Sequence, residues 1–194
     1  MAEYGSGTAL IVVDVQNDFA DPNGSLYVKG GENVVARVNE EVDAARAAGA
    51  PVVYTADWHP ESTPHFKKDG GIWPVHCVGG TWGAEFHPQL TVEGRVVKKG
   101  TGGEDGYSGF SVRDPQTGEE AATDLERTLR SANVGNVVVV GLATDYCVKE
   151  TALDAVRKGF GTTVLRAAIA AVDLEQGDGD RALAALQEAG ARVE

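Results

Sequence analysis

The chain has only two cysteines, four histidines, one methionine and 7% aromatic residues, and its 17 Lys and Arg are outnumbered by 29 Asp and Glu. Cys77 and Cys147 are too few for the disulfide framework of a small secreted domain, so each thiol is either a packing residue or a reagent. A formal net charge of −12 repels phosphate backbones and anionic lipid, so neither nucleic acid nor membrane is an expected partner. The same surplus also reads as a device for solubility alone. No apolar run approaches the ~20 residues that span a bilayer. Residues 1–8 lack the basic segment followed by an apolar one that marks a secretion signal. A soluble, cytoplasmic protein is expected, monomeric or homo-oligomeric. There is also no repeat, low-complexity tract or linker. The 194 residues, 42% of them hydrophobic, suffice for one core, so a single domain spanning 1–194 is expected.

What is present is an alternation of periods. Ala9–Val13 and Asn136–Val140 are continuous apolar runs, the pattern of strands buried on both faces. Shorter strands are expected at 51–55, 95–98, 162–165 and 191–193. Between them, Val34, Val35, Val38, Val42 and Ala45 recur at helical spacing within 33–48, which Gly49 terminates. Further helices are expected at 121–131, at 144–158 capped by Thr144, and at 179–189. The segment 57–89 is rich in Pro, Gly and His and reads as a long loop, a feature that is usually functional in a compact domain. Strands alternating with helices predict an α/β fold: a parallel β-sheet flanked by helices on both faces. In such sheets ligands bind beyond the carboxyl ends of the strands.

That rule selects residues. The first strand ends at Asp14, the second at Asp57-Trp-His59, the third at Lys98-Lys99-Gly100, and the fourth leads through Gly141-Leu-Ala-Thr-Asp-Tyr-Cys147. Four strands thus deliver an acid, a metal-ligand pair, a base and a thiol to one edge. A thiol in the first turn of a helix feels the positive end of the dipole, which lowers its pKa toward a thiolate. A buried packing thiol is the alternative for Cys147, and the only reading for Cys77. Asp14 is either an acid paired with Lys99 or a turn cap, and at least one of Lys98 and Lys99 reads as a solvated loop lysine. His59, His65 and His76 fall within one 18-residue window beside Asp57. A carboxylate with imidazoles suits one divalent Zn, Fe or Mn ion, whereas surface histidines in a loop are the alternative. His87 fits the surface reading. Phe19, Trp73 and Tyr107 lie near these motifs, either as packing or as walls for a flat ring.

The segments Val13–Phe19 (VDVQNDF), Asp57–Pro60 (DWHP), Trp73–Cys77 (WPVHC), Lys99-Gly100 and Gly141–Val148 (GLATDYCV) resemble, in order and over nearly the whole chain, the nicotinamidase branch of the isochorismatase-like hydrolases. The resemblance implies hydrolysis of nicotinamide, a small pyridine carboxamide, to nicotinate and ammonia through a cysteine thioester. It implies a triad of Asp14, Lys99 and Cys147, and an oxyanion hole from the N–H groups of Ala143 and Cys147. It further implies a metal held by Asp57, His59 and His76, with His65 as the extra ligand of one subgroup. Phe19 and Trp73 become ring-binding aromatics with Tyr107 as a third wall, and the Leu142–Ala143 peptide becomes cis. Two other readings remain: a related amidohydrolase acting on another small amide, and a metal-holding, pyridine-binding module without chemistry.

Overall fold

The two longest apolar runs become the two central strands. The computed structural model describes residues 2–194. Strand β1 (Thr8–Val13) is buried from Ala9 onward, and every residue of β2 (Val52–Asp57) is buried. They join β3 (Arg95–Lys99), β6 (Asn136–Leu142), β7 (Gly161–Ala170) and β8 (Arg192–Val193) in one sheet of order β3-β2-β1-β6-β7-β8, in which every pairing is parallel. Alternate residues of β1 feed two cores. Leu10 and Val12 pack with Val34, Val38 and Val42 of helix α2 (Gly31–Ala47). Ala9, Ile11 and Val13 pack with Leu125 and Leu129 of α3 (Leu125–Ser131), Ala152 and Ala155 of α4 (Lys149–Arg157), and Leu183 and Leu186 of α5 (Asp178–Glu188). Burial on both faces explains why β1 and β6 read as continuous apolar runs and not as alternating ones. Among the described residues no helix is long and apolar enough to cross a membrane.

The strand order reverses at the β1/β6 boundary. Strands β2 and β3 extend to one side of β1, whereas β6 opens the other. A crevice at such a switch point, beyond the carboxyl ends, is where this class of sheet binds its ligands. Gly141 sits there with φ +112°, and a Cβ on it would lie 2.1 Å from the Val13 carbonyl oxygen. Only glycine lets β6 pass this close to the end of β1.

Several expectations change. The helix expected from Ala121 begins at Leu125, and Glu120–Ala122 is instead strand β5, antiparallel to β4 (Ser111–Arg113). The Asp114–Gly118 turn closes this hairpin: Asp114 Oδ1 accepts from the N–H groups of Gln116 and Thr117, both at 2.8 Å. That is an Asp-capped turn chemistry which outweighs the helical tendency of two alanines. The helix expected over 144–158 starts as a π-helical turn, Thr144–Val148, with Ala143 as its N-cap in place of Thr144. Segment 57–89 is not structureless. Two short 3₁₀ turns and bridges pairing His59 with Val78 and Phe66 with Trp73 fold it against the sheet edge. His87, expected at the surface, is buried, and its Nδ1 accepts the Gln89 N–H at 3.3 Å. A short helix α1 (Asn17–Ala20) follows β1 directly, and β7 runs to Ala170, beyond its expected end at 165.

Candidate active site

Each strand end does a separate positioning job. Asp14 follows β1 with φ +48°, so the chain turns at once and aims the carboxylate along the sheet edge. Its neighbour across the β1–β2 pair is Thr55, whose hydroxyl donates to Asp14 Oδ1 at 2.6 Å. Asp57 and Lys99 close β2 and β3 as register partners. The Lys99 ammonium, fully enclosed, lies 2.7 Å from Asp14 Oδ2 and 2.7 Å from Asp57 Oδ1, donates to the Gly106 carbonyl, and reaches Cys147 Sγ at 3.6 Å. Acid atoms of Asp14 and Asp57 and the Cys147 sulfur all fall within 4.8 Å of one another. The structure therefore brings Asp14, Lys99 and Cys147 together. It leaves Lys98 exposed with its Nζ 3.3 Å from the Trp58 ring centroid, a cation–π contact.

The electrostatics follow from burial. Burial pulls against the charge of Lys99, but Asp14 and Asp57 more than offset it and hold the ammonium well above its ordinary range. Burial also works against Asp57, yet Lys99 and then His59 and His76 keep that carboxylate well below its usual value. For Asp14 burial wins: its pKa is raised despite Lys99, with Asp57 adding to the rise. Of the two acids, Asp57 keeps its charge and Asp14 is the one disposed to take a proton. The Cys147 thiol is pushed well up by burial, against Lys99 and with Asp14 and Asp57. This corrects the sequence expectation of a thiol lowered by a helix dipole. The sulfur is enclosed beside two carboxylates, and burial is the largest influence on it. Cys77 is equally buried and raised for the same reason. Its sulfur contacts the Gly83 carbonyl at 3.8 Å, and its main-chain N–H donates to Asp18.

The histidines gather on the other side of Asp57. One ring nitrogen from each of His59, His65 and His76 lies within 4.8 Å of the other two. Asp57 Oδ2 is 3.7 Å from His59 Nε2 and 3.8 Å from His76 Nε2. His76 Nδ1 donates to the Pro74 carbonyl at 2.8 Å, which leaves Nε2 as a lone-pair donor. His65 Nδ1 is held by Asp105 Oδ1 at 2.5 Å. His59 has both ring nitrogens buried with no hydrogen-bond partner. An unpaired buried polar group costs about 1–3 kcal/mol, and this imidazole has a lone pair free to offer an ion. A carboxylate and three imidazoles with free lone pairs fit a divalent transition metal. His87 is not part of the group.

Between the two clusters lies a pocket of about 440 Å³ of atom-free space, partly open to solvent. Cys147, Ala143, Asp57, His65 and His76 all line it. Phe19, Trp73 and Tyr107 line it too, with Trp73 Nε1 donating to the Tyr107 hydroxyl at 2.7 Å. The Leu142–Ala143 peptide is cis. Sequence reasoning missed several residues. Tyr146 stands edge-on to Trp73 at 4.9 Å between centroids, and Leu26 and Val28 close a further wall. Gln16, fully buried, accepts the Asp57 N–H at 2.8 Å and donates to the Asp57 carbonyl at 2.7 Å and to that of Ala84 at 2.8 Å. Thr55 could have been found from strand register, because it pairs with Val13 beside Asp14. Nothing in the sequence marks Leu26 or Val28.

A family model described as the isochorismatase domain matches residues 8–194. The chain belongs to the isochorismatase-domain family. Within that family it is 45% identical to the nicotinamidase/pyrazinamidase of Mycobacterium tuberculosis, over 93% of this chain and 92% of that protein. Among solved structures it resembles the pyrazinamidase of Pyrococcus horikoshii in complex with zinc, with a TM-score of 0.87 and 39% identity over 97% of this chain and 98% of that one. It also resembles PnC1 from L. infantum in complex with nicotinate, with a TM-score of 0.89 and 36% identity over 100% and 95%.

Proposed function

We propose that the protein hydrolyses nicotinamide to nicotinate and ammonia, with Cys147 as nucleophile and Asp14 as the group that moves protons. The observation that carries this reading is the enclosed Lys99, in contact with both Asp14 and the sulfur of Cys147, a residue that lines the aromatic-walled pocket. A binding module has no use for a buried thiol wired to an acid in this way. The nicotinate held by one structural relative and the zinc held by another support a small pyridine ligand and a metal.

Amides are weak electrophiles, and ammonia leaves only when protonated. Asp14, whose carboxyl burial has raised, takes the Cys147 S–H proton, and Lys99 offsets the charge that this transfer creates. The thiolate attacks the carboxamide carbon, forming a C–S bond while the carbonyl electron pair moves to oxygen. The N–H groups of Ala143 and Cys147 receive that oxyanion, a contribution of about 3 kcal/mol per donor. As the C–N bond breaks, Asp14 returns its proton to the nitrogen and ammonia departs. Water then adds to the thioester, giving one proton to Asp14; as the C–S bond breaks, Asp14 passes that proton to the departing sulfur and restores the Cys147 thiol, and the released acid loses its remaining proton to solvent as nicotinate. Phe19, Trp73 and Tyr107 hold the ring flat between the two clusters. Asp57, His59, His76 and His65 would hold the metal, which when bound supplies a Lewis-acid point for the pyridine nitrogen or a water bonded to it.

The test is ammonia release from nicotinamide, with intact-mass detection of an adduct formed by an aldehyde analogue of the substrate. Turnover with an adduct that maps to Cys147 is the expected result. An adduct on another residue, or no ammonia from metal-loaded protein, would overturn the proposal.

A further inference from the structure

We infer that Asp105 is a positioning residue that makes His65 a metal ligand, by holding the Nδ1 side of the imidazole so that Nε2 is presented to His59 and His76. The inference rests on the metal reading of the site and adds the device that recruits its third imidazole.

The three imidazoles are supported unequally. His59 has no hydrogen-bond partner on either nitrogen, and His76 has a neutral main-chain carbonyl. Of the three, His65 alone has a carboxylate within hydrogen-bond distance, Asp105 at 2.5 Å, whereas Asp57 Oδ2 stands 3.7 and 3.8 Å from the other two rings. Because Nδ1 is engaged by Asp105, Nε2 is the nitrogen His65 has left to offer the cluster. A carboxylate on the far nitrogen fixes the tautomer and the ring plane and makes the ligand nitrogen more basic.

The contact is built from both sides and does not depend on a chance rotamer. The Asp105 main chain pairs with Arg113 in both directions, N–H to carbonyl at 2.7 Å and the reverse at 2.9 Å, so strand β4 fixes the carboxylate's root. On the other side the His65 N–H donates to Thr63 Oγ1 at 3.2 Å. The same hydroxyl donates to the Gly103 carbonyl at 2.6 Å, tying the histidine loop to the loop that carries Asp105. The His65 ring stacks on His59 with centroids 4.8 Å apart and planes 21° from parallel, so a rotated His65 would lose both the carboxylate and the stack. The β4–β5 hairpin, which contributes nothing to the main sheet, thereby acquires a role at the site.

The experiment compares wild-type protein, Asp105→Ala, Asp105→Asn, His65→Ala and the Asp105→Ala/His65→Ala double variant. Each is loaded with zinc and titrated with a chromophoric chelator, and cobalt-loaded samples report ligand-field absorption. Turnover is not the readout. Asp105→Ala is expected to weaken zinc binding by about 10–100-fold and to shift the cobalt spectrum toward that of His65→Ala. Asp105→Asn, which keeps an acceptor and loses the charge, is expected to fall between wild type and Asp105→Ala. In the His65→Ala background the Asp105 substitution should change affinity by less than about twofold, because its effect travels through His65. Equal loosening in both backgrounds would show a general loop effect and overturn the inference. Zinc held by both Asp105 variants as tightly as by wild type would also overturn it and leave the metal site standing. Wild-type protein that takes up no zinc would overturn the metal reading itself.

Discussion

Replacing Asp14 with Asn tests the proton-shuttle role with little disturbance to the fold. The substituted amide keeps an oxygen for the Thr55 hydroxyl, now 2.6 Å from Asp14 Oδ1, and Lys99 keeps Asp57 at 2.7 Å and the Gly106 carbonyl. The cluster passes from two carboxylates and one ammonium to one of each. Lys99 exchanges one favourable contact for the donor NH2 of the amide, the repulsion between Asp14 and Asp57 disappears, and the protein no longer buries a second negative charge. These effects oppose one another, so stability should change by no more than about 1–2 kcal/mol, a Tm shift of roughly 2–8 °C for a chain of this size. Catalysis has no such compensation. One carboxyl is asked to deprotonate a thiol that burial holds up and then to protonate the leaving nitrogen, and an amide does neither. General acid–base catalysis is worth ~10²–10⁴, so ammonia release should fall by at least about that factor at every pH where the variant is folded. Alkylation of Cys147 by iodoacetamide should slow as well, because the thiol has lost its proton acceptor. A turn cap would tolerate Asn, which caps as well as Asp. A folded variant that releases ammonia within a few-fold of wild type would therefore refute the assignment.

Cys147→Ala should abolish ammonia release while the protein stays folded and keeps its metal content, whereas Cys77→Ala should keep most activity; the assay is turnover beside circular dichroism and metal analysis. Removing metal with a chelator should lower the melting temperature, since an ion that binds only the folded state at 100 times its Kd stabilises by about 2.7 kcal/mol. Readdition should restore both the melt and activity, and a melt indifferent to chelator would exclude ligation by His59 and its neighbours. Tyr107→Phe removes the acceptor of the Trp73 Nε1 bond at 2.7 Å. The phenol is pushed up to about 12, by burial first, so it acts as a neutral group. Loss of one hydrogen bond worth about 0.5–1.5 kcal/mol should raise KM by roughly two- to twelvefold with kcat retained, and an unchanged KM would show that Trp73 needs no such tether.

The parts of the fold legible in the sequence were those that a single physical pattern specifies. Buried parallel strands announce themselves as apolar runs, and α2 by its five apolar positions at helical spacing. The rule about carboxyl ends then selected Asp14, Asp57, Lys99 and the segment leading to Cys147 without any fold in hand. What remained hidden depends on contacts between distant segments. Strand β5 has an exposed, alanine-rich sequence that reads as helix, and only its pairing with β4 makes it a strand. The depression expected for the Cys147 thiol failed because a helix start is a local feature, whereas burial beside Asp14 and Asp57 is a property of three strands at once. Gln16 looked like one more polar residue after a strand. Its amide is fully buried because it replaces water for the main chain of Asp57, a partner 41 positions away.

The residue that joins the two halves of the site is Asp57. Oδ1 belongs to the ammonium of Lys99, and Oδ2 faces His59 and His76. Gln16 takes both its main-chain N–H and its carbonyl and so fixes the root of the side chain, while Lys99 at 2.7 Å holds the carboxylate itself. The separation of the thiol from Asp57 is set by buried strand ends, and the imidazoles reach Asp57 from the segment 57–89 that follows β2. The charges follow the same logic. Two carboxylates and one ammonium leave a net negative charge in an enclosed region, an arrangement that low dielectric makes costly. A cation on the imidazole side of Asp57 offsets that charge, and a raised Asp14 relieves it by accepting a proton. The order β3-β2-β1-β6 makes both remedies available at one place, because it lines up the ends that carry Lys99, Asp57, Asp14 and the turn to Cys147 side by side.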